Sequence, residues 1–328
     1  MTDLTVDQGL FGQVAEELAA VEARLQSPVE GNGMLSSVAR YALASGGKRI
    51  RPALVLLTAR ACGAAASPRT VMLASVAEMM HAATLIHDDI VDRAAMRRGR
   101  PSTVARWGAD VSVLVGDFLY ARAVQMLVAD EDLRLMRAFA DATVAMTEAE
   151  VLQLQHLWNL ATPVPEYLAI VQGKTAALMS AACRAGALAS GASDETVEAL
   201  AGYGLLLGVG FQLVDDALDY SAREERLGKP VASDFREGKI TYPILHVMRV
   251  AAEPDRLALS RLAERQAPAE ADVALLKALV ERYAAVPATM ALVDGYLERA
   301  RAGLGGLPDS PARAALLRLV DFVRDRDW

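Results

Sequence analysis

The sequence contains few cysteine and aromatic residues and few signals for β-structure. Only two of its 328 residues are cysteine and 5% are aromatic, whereas 53% are hydrophobic. The core must therefore consist mainly of Ala, Leu and Val, and Ala and Leu are strong helix formers. Turn sequences typical of β-hairpins occur only at Asn32-Gly33 and Asp294-Gly295, where the surrounding pattern is helical. The composition predicts an all-α fold.

The sequence also lacks an excess of positive charge, a secretory leader and a long apolar run. Its formal net charge of −7 argues against a nucleic-acid-binding protein. The N-terminal segment carries Asp3 and Asp7 instead of a basic start followed by an apolar stretch, and no uninterrupted apolar run is long enough to cross a bilayer. Cys62 and Cys183 lie in Ala-rich helical sequence and are expected to be buried free thiols in a reducing cytosol, so we predict a cytoplasmic protein; the alternative, a disulfide between them, has no support in the sequence.

Helical periodicity continues along the chain without a change in composition that would mark a domain boundary. Ser67-Pro68 and Ser193 predict helix starts, because Ser is a preferred N-cap and Pro suits the first helical position. Residues 96–101 and 223–239 are charged and contain glycine, which is typical of loops. We predict a single domain over residues 1–328.

Two acidic clusters of the same form lie far apart in the chain, DDIVD at residues 88–92 and DDALD at residues 215–219. Each lies in apolar sequence with helical periodicity. Residues four apart share a helix face, so the first and last Asp of each cluster point the same way. Partly buried carboxylates need counter-charge, and Mg²⁺ binds through one or two carboxylates plus substrate phosphate oxygens. The clusters predict a metal-dependent enzyme that acts on a diphosphate.

Glycine and basic residues occur together in further segments that suit a diphosphate. GGKRIRP at residues 46–52 combines glycines, which let backbone N–H groups approach an anion, with basic side chains; the alternative is an ordinary glycine helix stop. MRRGRP at residues 96–101 directly follows the first acidic cluster, although a solvated basic loop would look the same. GKT at residues 173–175 lacks the spacing of a nucleotide-binding loop. GKP at 228–230 and EGK at 237–239, taken alone, would be an ordinary charged loop.

Two histidines precede or adjoin the first acidic cluster. His81 lies two helical turns before Asp88 and shares its face, which makes it a candidate donor to a diphosphate. His87 is not on that face and is interpreted as structural. Neither spacing forms a zinc site.

Taken together, these segments resemble the trans-prenyltransferase (isoprenyl diphosphate synthase) family. LIHDDIVDRAAMRRGRPS at residues 85–102 and GFQLVDDALDY at residues 210–220 carry most of the resemblance. Their order along the chain, together with GGKRIRP, GKT and EGK, is far more specific than any single segment. The resemblance extends over nearly the whole chain, from residue 46 to residue 313.

The resemblance implies an antiparallel helix bundle around a deep central cavity, usually a homodimer, with Mg²⁺ as cofactor. Two ions would be held by the first cluster and a third by the second. The residues implied in catalysis or metal binding are Asp88, Asp89, Asp92, Lys174, Thr175, Gln212, Asp215, Asp216 and Asp219. Those implied at the allylic diphosphate are Arg97, Lys174, Thr175, Gln212, Lys229 and Lys239, and those implied at isopentenyl diphosphate are Lys48, Arg51, His81 and Arg98. Many members have two acidic residues where this chain has Ser233-Asp234, which argues against a direct role for the first of that pair.

The resemblance also implies the chemistry. Positive charge around the leaving pyrophosphate lets the allylic C–O bond ionise, and the double bond of isopentenyl diphosphate attacks the resulting cation between apolar walls. The departed pyrophosphate takes the proton, which agrees with the absence of a recognisable Ser-His-Asp or Cys-His motif. The apolar product implies transient contact with a membrane at release.

Small side chains before the first acidic cluster predict a long product. Ala83 and Thr84 lie about one helical turn before Asp88. In family members that make short products, one of these two positions is typically aromatic and closes the cavity. Ala83 lies about 7.5 Å along the helix axis from Asp88, at roughly 1.5 Å per residue. We expect an open tunnel and an octaprenyl to decaprenyl product, as used for quinone side chains.

Other functions remain open from the sequence. A shorter-chain synthase making geranylgeranyl or farnesyl diphosphate would differ in cavity depth. A non-catalytic regulatory subunit of a heteromeric synthase tends to lose an acidic cluster, whereas both are intact here. A class I terpene cyclase would lack GGKRIRP and carry an Asn/Ser/Glu metal motif in place of the second cluster.

Replacing Ala83 with Tyr should shorten the product, because the ring would close the tunnel about one turn from the first acidic cluster. The measurement is the chain-length distribution of the product, separated by chromatography. An unchanged distribution would contradict the tunnel hypothesis.

Overall fold

The computed structural model describes residues 8–26, 33–44, 46–221, 231–266 and 268–326. Nearly all regular structure in these residues is helical, which confirms the predicted all-α fold. The helices are α1 (Gln8–Phe11), α2 (Ala15–Gln26), α3 (Met34–Leu43), α4 (Ile50–Ala61), α5 (Pro68–Val91), α6 (Thr103–Trp107), α7 (Ala109–Asp130), α8 (Leu133–Gln155), α9 (Val164–Val171), α10 (Ala177–Ala189), α11 (Asp194–Ser221), α12 (Ser233–Arg236), α13 (Tyr242–Val250), α14 (Glu253–Arg265), α15 (Glu270–Arg282), α16 (Ala285–Gly303) and α17 (Pro311–Asp325). A 3₁₀ turn (Gly12–Val14), a π-helical turn (Gln172–Ala176) and a ribbon of β1 (Met96–Arg97) and β2 (Arg100–Pro101) complete the regular elements.

The chain divides into two compact units that alternate along the sequence. Unit 1 consists of Met1–Ala142, Leu178–Gly204 and Gly303–Leu319, and unit 2 consists of Thr143–Ala177, Leu205–Ala302 and Val320–Trp328. The first acidic cluster belongs to unit 1 and the second to unit 2. The expectation of one domain over residues 1–328 stays a prediction.

α5, which carries the first acidic cluster, begins where the sequence predicts. Ser67 Oγ accepts a hydrogen bond from Thr70 N at 3.1 Å, and Thr70 Oγ1 accepts one from Ser67 N at 3.3 Å. This capping box satisfies N–H groups that the first helical turn leaves without partners. Pro68 occupies the first helical position, where its missing N–H is no loss. The cap fixes the register of the helix that ends in the acidic cluster.

Within unit 1, α5 packs against α2, α4 and α7. Its buried apolar side chains include Leu73, Val76 and Met79, each fully excluded from solvent. Burial along most of its length makes α5 a rigid support for the polar residues at its C-terminal end.

α11 carries the second acidic cluster and also begins at its predicted cap, since Ser193 Oγ accepts from Thr196 N at 3.3 Å. In unit 2, Leu207 and Leu213 of this helix are fully buried. The helix ends at Ser221, just after the cluster. Residues 222–230, which begin the predicted loop, lie outside the described residues.

Residues 96–101 were expected to form a loop, and they form the antiparallel ribbon β1–β2 instead. Met96 pairs with Pro101, and Arg97 pairs with Arg100. The turn residues Arg98 and Gly99 have φ angles of 51° and 72°. Positive φ at both central residues is the geometry of a type I′ turn, which usually carries Asn-Gly or Asp-Gly. Arg-Gly is a weak signal for this turn, so the sequence did not predict it.

Two helices are long and apolar enough to span a bilayer by length and composition. They are α7 and α11, in which 33% and 61% of the most apolar 18-residue stretch are buried. The core helices of water-surrounded domains satisfy the same criteria, so this observation is weak support for a membrane span.

Candidate active site

The first acidic cluster lies at the C-terminal end of α5, and its carboxylates differ in exposure. Asp88 and Asp92 are half-buried, whereas Asp89 is 3% exposed. The Asp92 N–H donates to Asp88 O at 2.8 Å and closes the helix. Because Asp92 keeps helical backbone angles, it remains on the helix face of Asp88. The predicted pairing of these two residues on one face is therefore present within unit 1.

Asp89 links the acidic helix to the basic ribbon. Arg97 Nε, on β1, donates to Asp89 Oδ1 at 2.8 Å. Burial raises the pKa of Asp89, and the Arg97 guanidinium opposes that shift without cancelling it. The buried carboxylate therefore fixes the position of Arg97, which the sequence assigns to the allylic diphosphate.

A buried arginine anchors the GGKRIRP segment. Arg49 forms ion pairs with Glu22 on α2 and Glu78 on α5, and its Nη2 donates to Leu43 O at 2.9 Å. Its φ of 48° is left-handed, a conformation that residues other than glycine rarely adopt. A buried guanidinium is costly unless it is paired and hydrogen-bonded, so these partners determine where the segment lies.

Gly47 allows the ribbon to approach the GGKRIRP segment. Its φ is 139°, and a Cβ at this position would lie 2.5 Å from Arg98 Nη1. A larger residue would have to displace the Arg98 guanidinium. The glycine that the sequence assigns to an anion site thus brings two basic segments of unit 1 into contact.

A pocket that opens to solvent lies beside these segments within unit 1. Its walls include His81, Arg98 and Glu78. Burial lowers the pKa of His81 well below its usual range, and the positive charges of Arg51 and Arg98 lower it further. His81 is therefore a neutral hydrogen-bonding group beside arginines, an arrangement that suits an anionic ligand.

The residues predicted to control product length lie one to two turns before the acidic cluster. Ala83 is 2% exposed, and Thr84 is half-buried with its hydroxyl donating to His81 O at 2.8 Å. Both residues belong to α5 and have small side chains. Their role in product length stays a prediction.

The second acidic cluster shows the same division between buried and accessible carboxylates. The Asp215 side chain is 44% exposed, whereas Asp216 is 2% exposed and Asp219 is fully buried. Asp215 is thus the carboxylate of this cluster that is accessible to a ligand.

Donors on both oxygens hold Asp216 in place. Tyr167 O–H donates to Oδ2, and Gln212 Nε2 donates to Oδ1 at 2.9 Å. The Thr175 hydroxyl donates in turn to Gln212 Oε1 at 2.7 Å. Burial raises the pKa of Asp216 to about 6, although the Tyr167 and Gln212 donors both lower it. This chain of hydrogen bonds joins predicted site residues through Tyr167, which the sequence did not single out.

The GKT segment forms the π-helical turn between α9 and α10. A Cβ on Gly173 would lie 2.5 Å from Ala149 Cβ and 2.6 Å from Ala145 O, so only glycine lets the turn approach α8 this closely. Lys174 Nζ forms an ion pair with Glu150 Oε2 at 2.5 Å. Single π-turns inside helices are frequent at functional sites. The close approach explains a glycine that helix propensity would disfavour.

Asp219 holds the chain that follows the second cluster. Its Oδ1 accepts from Ser233 Oγ at 2.7 Å, and its Oδ2 accepts from Asp234 N at 3.1 Å. These bonds begin α12, a helix inside a region that was expected to be a loop. Ser233 thus donates a hydrogen bond to Asp219. An acidic residue at position 233, as in many family members, would instead place a second negative charge beside Asp219.

Lys239 follows α12, and its Nζ lies 2.7 Å from Glu237 Oε2. Its N–H donates to Asp234 O at 2.8 Å, which fixes the backbone of the EGK segment. The other predicted lysine of this region, Lys229, lies outside the described residues.

Asp215 has a partner near the C-terminal end of the chain. Arg326 Nη2 lies 2.7 Å from Asp215 Oδ1, and the Arg326 side chain is only 3% exposed. No sequence pattern pointed to this contact.

The acidic clusters offer only a few carboxylate oxygens to a metal ion. Across the described ranges, no group of three or more His, Cys, Asp or Glu side chains is close enough to hold a metal ion. Proteins usually hold Mg²⁺ through one or two carboxylates plus substrate phosphates, and not in an all-protein cage. The accessible Asp oxygens of the two clusters are therefore compatible with Mg²⁺ binding.

The profile of the polyprenyl synthetase family matches residues 32–281. The chain therefore belongs to the polyprenyl synthetase family and is a prenyltransferase, as the sequence motifs predicted.

Individual relatives agree over nearly the full length. The chain is 35% identical over 317 residues to octaprenyl diphosphate synthase of Escherichia coli (strain K12), covering 95% of this chain and 97% of that one. Its structure resembles a decaprenyl diphosphate synthase from Rhodobacter capsulatus, with a TM-score of 0.92, 39% identity and coverage of 98% and 99%. It also resembles a polyprenyl synthase from Caulobacter crescentus CB15 complexed with calcium and isoprenyl diphosphate, with a TM-score of 0.93, 37% identity and coverage of 99% and 98%.

The residues that the sequence missed all act through buried contacts. Arg49 lies within a segment that was singled out, but only its left-handed backbone turns it towards Glu22 and Glu78. Tyr167 is 49 residues from Asp216, and a lone Tyr at that distance gives no periodic signal. Arg326 is equally without a signal. A search for polar residues in apolar helix faces would have found Tyr167 only as one of many.

Tyr167→Phe should slow prenyl transfer and reduce stability. The buried Asp216 carboxylate would lose one of its donors, at a cost of about 1–3 kcal/mol, or about tenfold in rate for each 1.4 kcal/mol that is specific to the transition state. The measurements are turnover with saturating substrates and the free energy of unfolding.

Tyr203→Phe is the matched control, because it removes a buried hydroxyl that donates to Leu316 O in unit 1. We expect it to lose stability but keep its turnover. Equal turnover in the two variants would contradict a role of Tyr167 in the site.

Proposed function

We propose that this protein catalyses the Mg²⁺-dependent head-to-tail condensation of isopentenyl diphosphate with an allylic diphosphate, giving a long-chain all-trans polyprenyl diphosphate. One observation carries the proposal. Each acidic cluster anchors its buried carboxylates with donors and keeps its first Asp, Asp88 or Asp215, accessible. A purely structural helix would have no reason to maintain such carboxylates at its end.

The basic residues of unit 1 support binding of isopentenyl diphosphate. His81 and Arg98 line the pocket, and Lys48 and Arg51 belong to the segment that Arg49 anchors beside it. Guanidinium groups bind phosphate oxygens through forked donors, and a neutral histidine adds a donor without adding charge. These residues hold the diphosphate and leave the carbon double bond free to react.

Most residues proposed at the allylic diphosphate are held in position by contacts within their own unit. Arg97 is held by Asp89 in unit 1, and Lys174 and Thr175 are held by the π-helical turn in unit 2. In unit 2, Gln212 orients the Thr175 hydroxyl. The remaining proposed ligands are Lys229 and Lys239. Their positive charges stabilise the leaving pyrophosphate.

Mg²⁺ would be held by Asp88 and Asp92 in unit 1 and by Asp215 in unit 2, with three ions per site as the family resemblance suggests. When bound, it supplies positive charge to the oxygens of the leaving group and so favours cleavage of the allylic C–O bond. The protein positions both substrates so that the double bond meets the allylic carbon. The departing pyrophosphate is the proposed proton acceptor, because burial and the nearby arginines lower the pKa of His81 and make it a weak base.

Small side chains support the proposed octaprenyl to decaprenyl product, which suits a quinone side chain. Ala83 and Thr84 leave room on α5 where an aromatic residue would fill it. Two relatives that match over nearly the full chain are named for octaprenyl and decaprenyl products, whereas others that match as fully are named for heptaprenyl and geranylgeranyl products. A shorter-chain synthase remains the second candidate, and product analysis separates the two. We also propose a cytoplasmic location with transient membrane contact when the apolar product leaves.

The decisive experiment incubates the purified chain with isopentenyl diphosphate, farnesyl diphosphate and Mg²⁺ and identifies the lipid by mass spectrometry. We expect a ladder that ends at about eight to ten prenyl units, because no aromatic side chain at Ala83 or Thr84 closes the cavity early. Asp88→Asn and Asp215→Asn should each reduce the rate by about 10²–10³-fold, the scale of losing one preorganised electrostatic group.

Asp110→Asn is the matched control, because Asp110 is an exposed carboxylate in the first turn of α7. It should retain the wild-type rate. No product from the chain alone would instead favour a regulatory subunit, and a product of four units, one more than the farnesyl primer, would favour the short-chain alternative.

An exposed apolar face in unit 1 supports the proposal of a homodimer. On α7, Leu114 is 63% exposed and Val128 is 54% exposed, and Leu133 at the start of α8 is 76% exposed. Large apolar side chains grouped on one surface are typical of protein interfaces, and most soluble oligomers pair identical surfaces. We propose that a second copy of this chain covers the face.

Leu114→Glu should convert the dimer to a monomer, because it places a charge on each copy of the proposed paired surface. Light scattering coupled to size exclusion measures the mass. Leu257→Glu, at another exposed Leu (51%) on α14, is the control and should remain dimeric. A wild-type protein of single-chain mass would rule out the homodimer.

A further inference from the structure

Arg326 makes a three-way contact with α11 in unit 2. Its Nη2 lies 2.7 Å from Asp215 Oδ1 and also donates to Phe211 O, while its guanidinium carbon lies 3.8 Å from the centroid of the Phe211 ring. The side chain is 3% exposed, so the charge is withdrawn from water. An ion pair with a buried guanidinium and a partly exposed carboxylate therefore joins Arg326 to the acidic cluster.

The contact constrains Asp215 in a specific way. A guanidinium is planar and rigid, so a donor fixed by the Phe211 carbonyl and ring determines where the Asp215 carboxylate can lie. The contact involves Oδ1, and the 44% exposure of the Asp215 side chain shows that the carboxylate is still accessible. Groups that hydrogen-bond to a metal ligand in this way orient it and typically contribute 10–100-fold to metal affinity.

We propose that Arg326 is a positioning residue that holds one oxygen of Asp215 and directs the other towards a divalent cation bound with pyrophosphate. The inference rests on the function proposed above, in which Asp215 is a metal ligand. It adds a residue near the C-terminal end of the chain to the machinery of the second acidic cluster. Arg326 itself touches neither the metal nor the substrate.

The test measures binding of Mn²⁺ in the presence of inorganic pyrophosphate, by calorimetric titration of the full chain. Arg326→Met removes the donors and the charge, and we expect Mn²⁺ affinity to fall by about 10–100-fold. Arg326→Lys keeps the charge without the planar fork and should lose affinity by a smaller factor. Circular dichroism and thermal unfolding establish that each variant is folded.

Arg324→Met is the matched control. Arg324 lies two residues away, is 54% exposed and pairs with Asp294 and Asp325 on the surface. Its loss should leave Mn²⁺ affinity unchanged. A double-mutant cycle with Asp215→Asn then asks whether Arg326 acts through Asp215, in which case Arg326→Met should cause no further loss in the Asp215→Asn background.

The possible results separate this inference from the proposed function. If Asp215→Asn binds Mn²⁺ as tightly as the wild type, the metal role of Asp215 is wrong and this inference is overturned with it. If Asp215→Asn weakens binding but Arg326→Met behaves like Arg324→Met, only the role of Arg326 is overturned. Wild-type affinity in Arg326→Lys, tighter binding in Arg326→Met, or an equal loss in both backgrounds would also overturn it.

Discussion

A buried carboxylate must be matched by donors, and this constraint organises both acidic clusters. Asp89 is matched by Arg97, Asp216 by Tyr167 and Gln212, and Asp219 by the start of α12. Burial without these donors would cost several kcal/mol for each charge, on the order seen for unpaired polar groups in protein interiors. The donors lie between 4 residues (Gln212) and 49 residues (Tyr167) from their carboxylates, so satisfying the carboxylates also fixes the basic and polar segments around them.

The same constraint leaves a different role to the first Asp of each cluster. Asp88 and Asp215 remain partly accessible because their neighbours in the clusters take the buried positions. The buried carboxylates hold the short helix segment in place, and the accessible carboxylate beside them can bind a ligand. Positioning of this kind matters for electrostatic catalysis, since preorganised groups need no rearrangement as charge develops on the leaving group.

The helices and their caps were largely predictable, because they depend on local sequence. Ser67 and Ser193 cap α5 and α11 through contacts within one turn, and the apolar periodicity continues to each acidic cluster. The ribbon at 96–101 and helix α12 were not predictable. The ribbon depends on left-handed backbone at Arg98, and α12 depends on contacts with Asp219, which is 15 residues before Asp234 on a different helix.

The sequence by itself determined the family, the all-α fold and the positions of the acidic clusters, because helix propensity, periodicity and motif spacing are local properties. Only the tertiary structure decided which carboxylates are buried and which residues hold them. Tyr167 and Arg326 have ordinary sequence neighbourhoods, and Arg49 lies in a segment that was singled out for its glycines and other basic residues. Each acquires its role from a partner brought close by folding. Charge pairing at low solvent exposure is a property of three-dimensional proximity, which spacing along a chain does not encode.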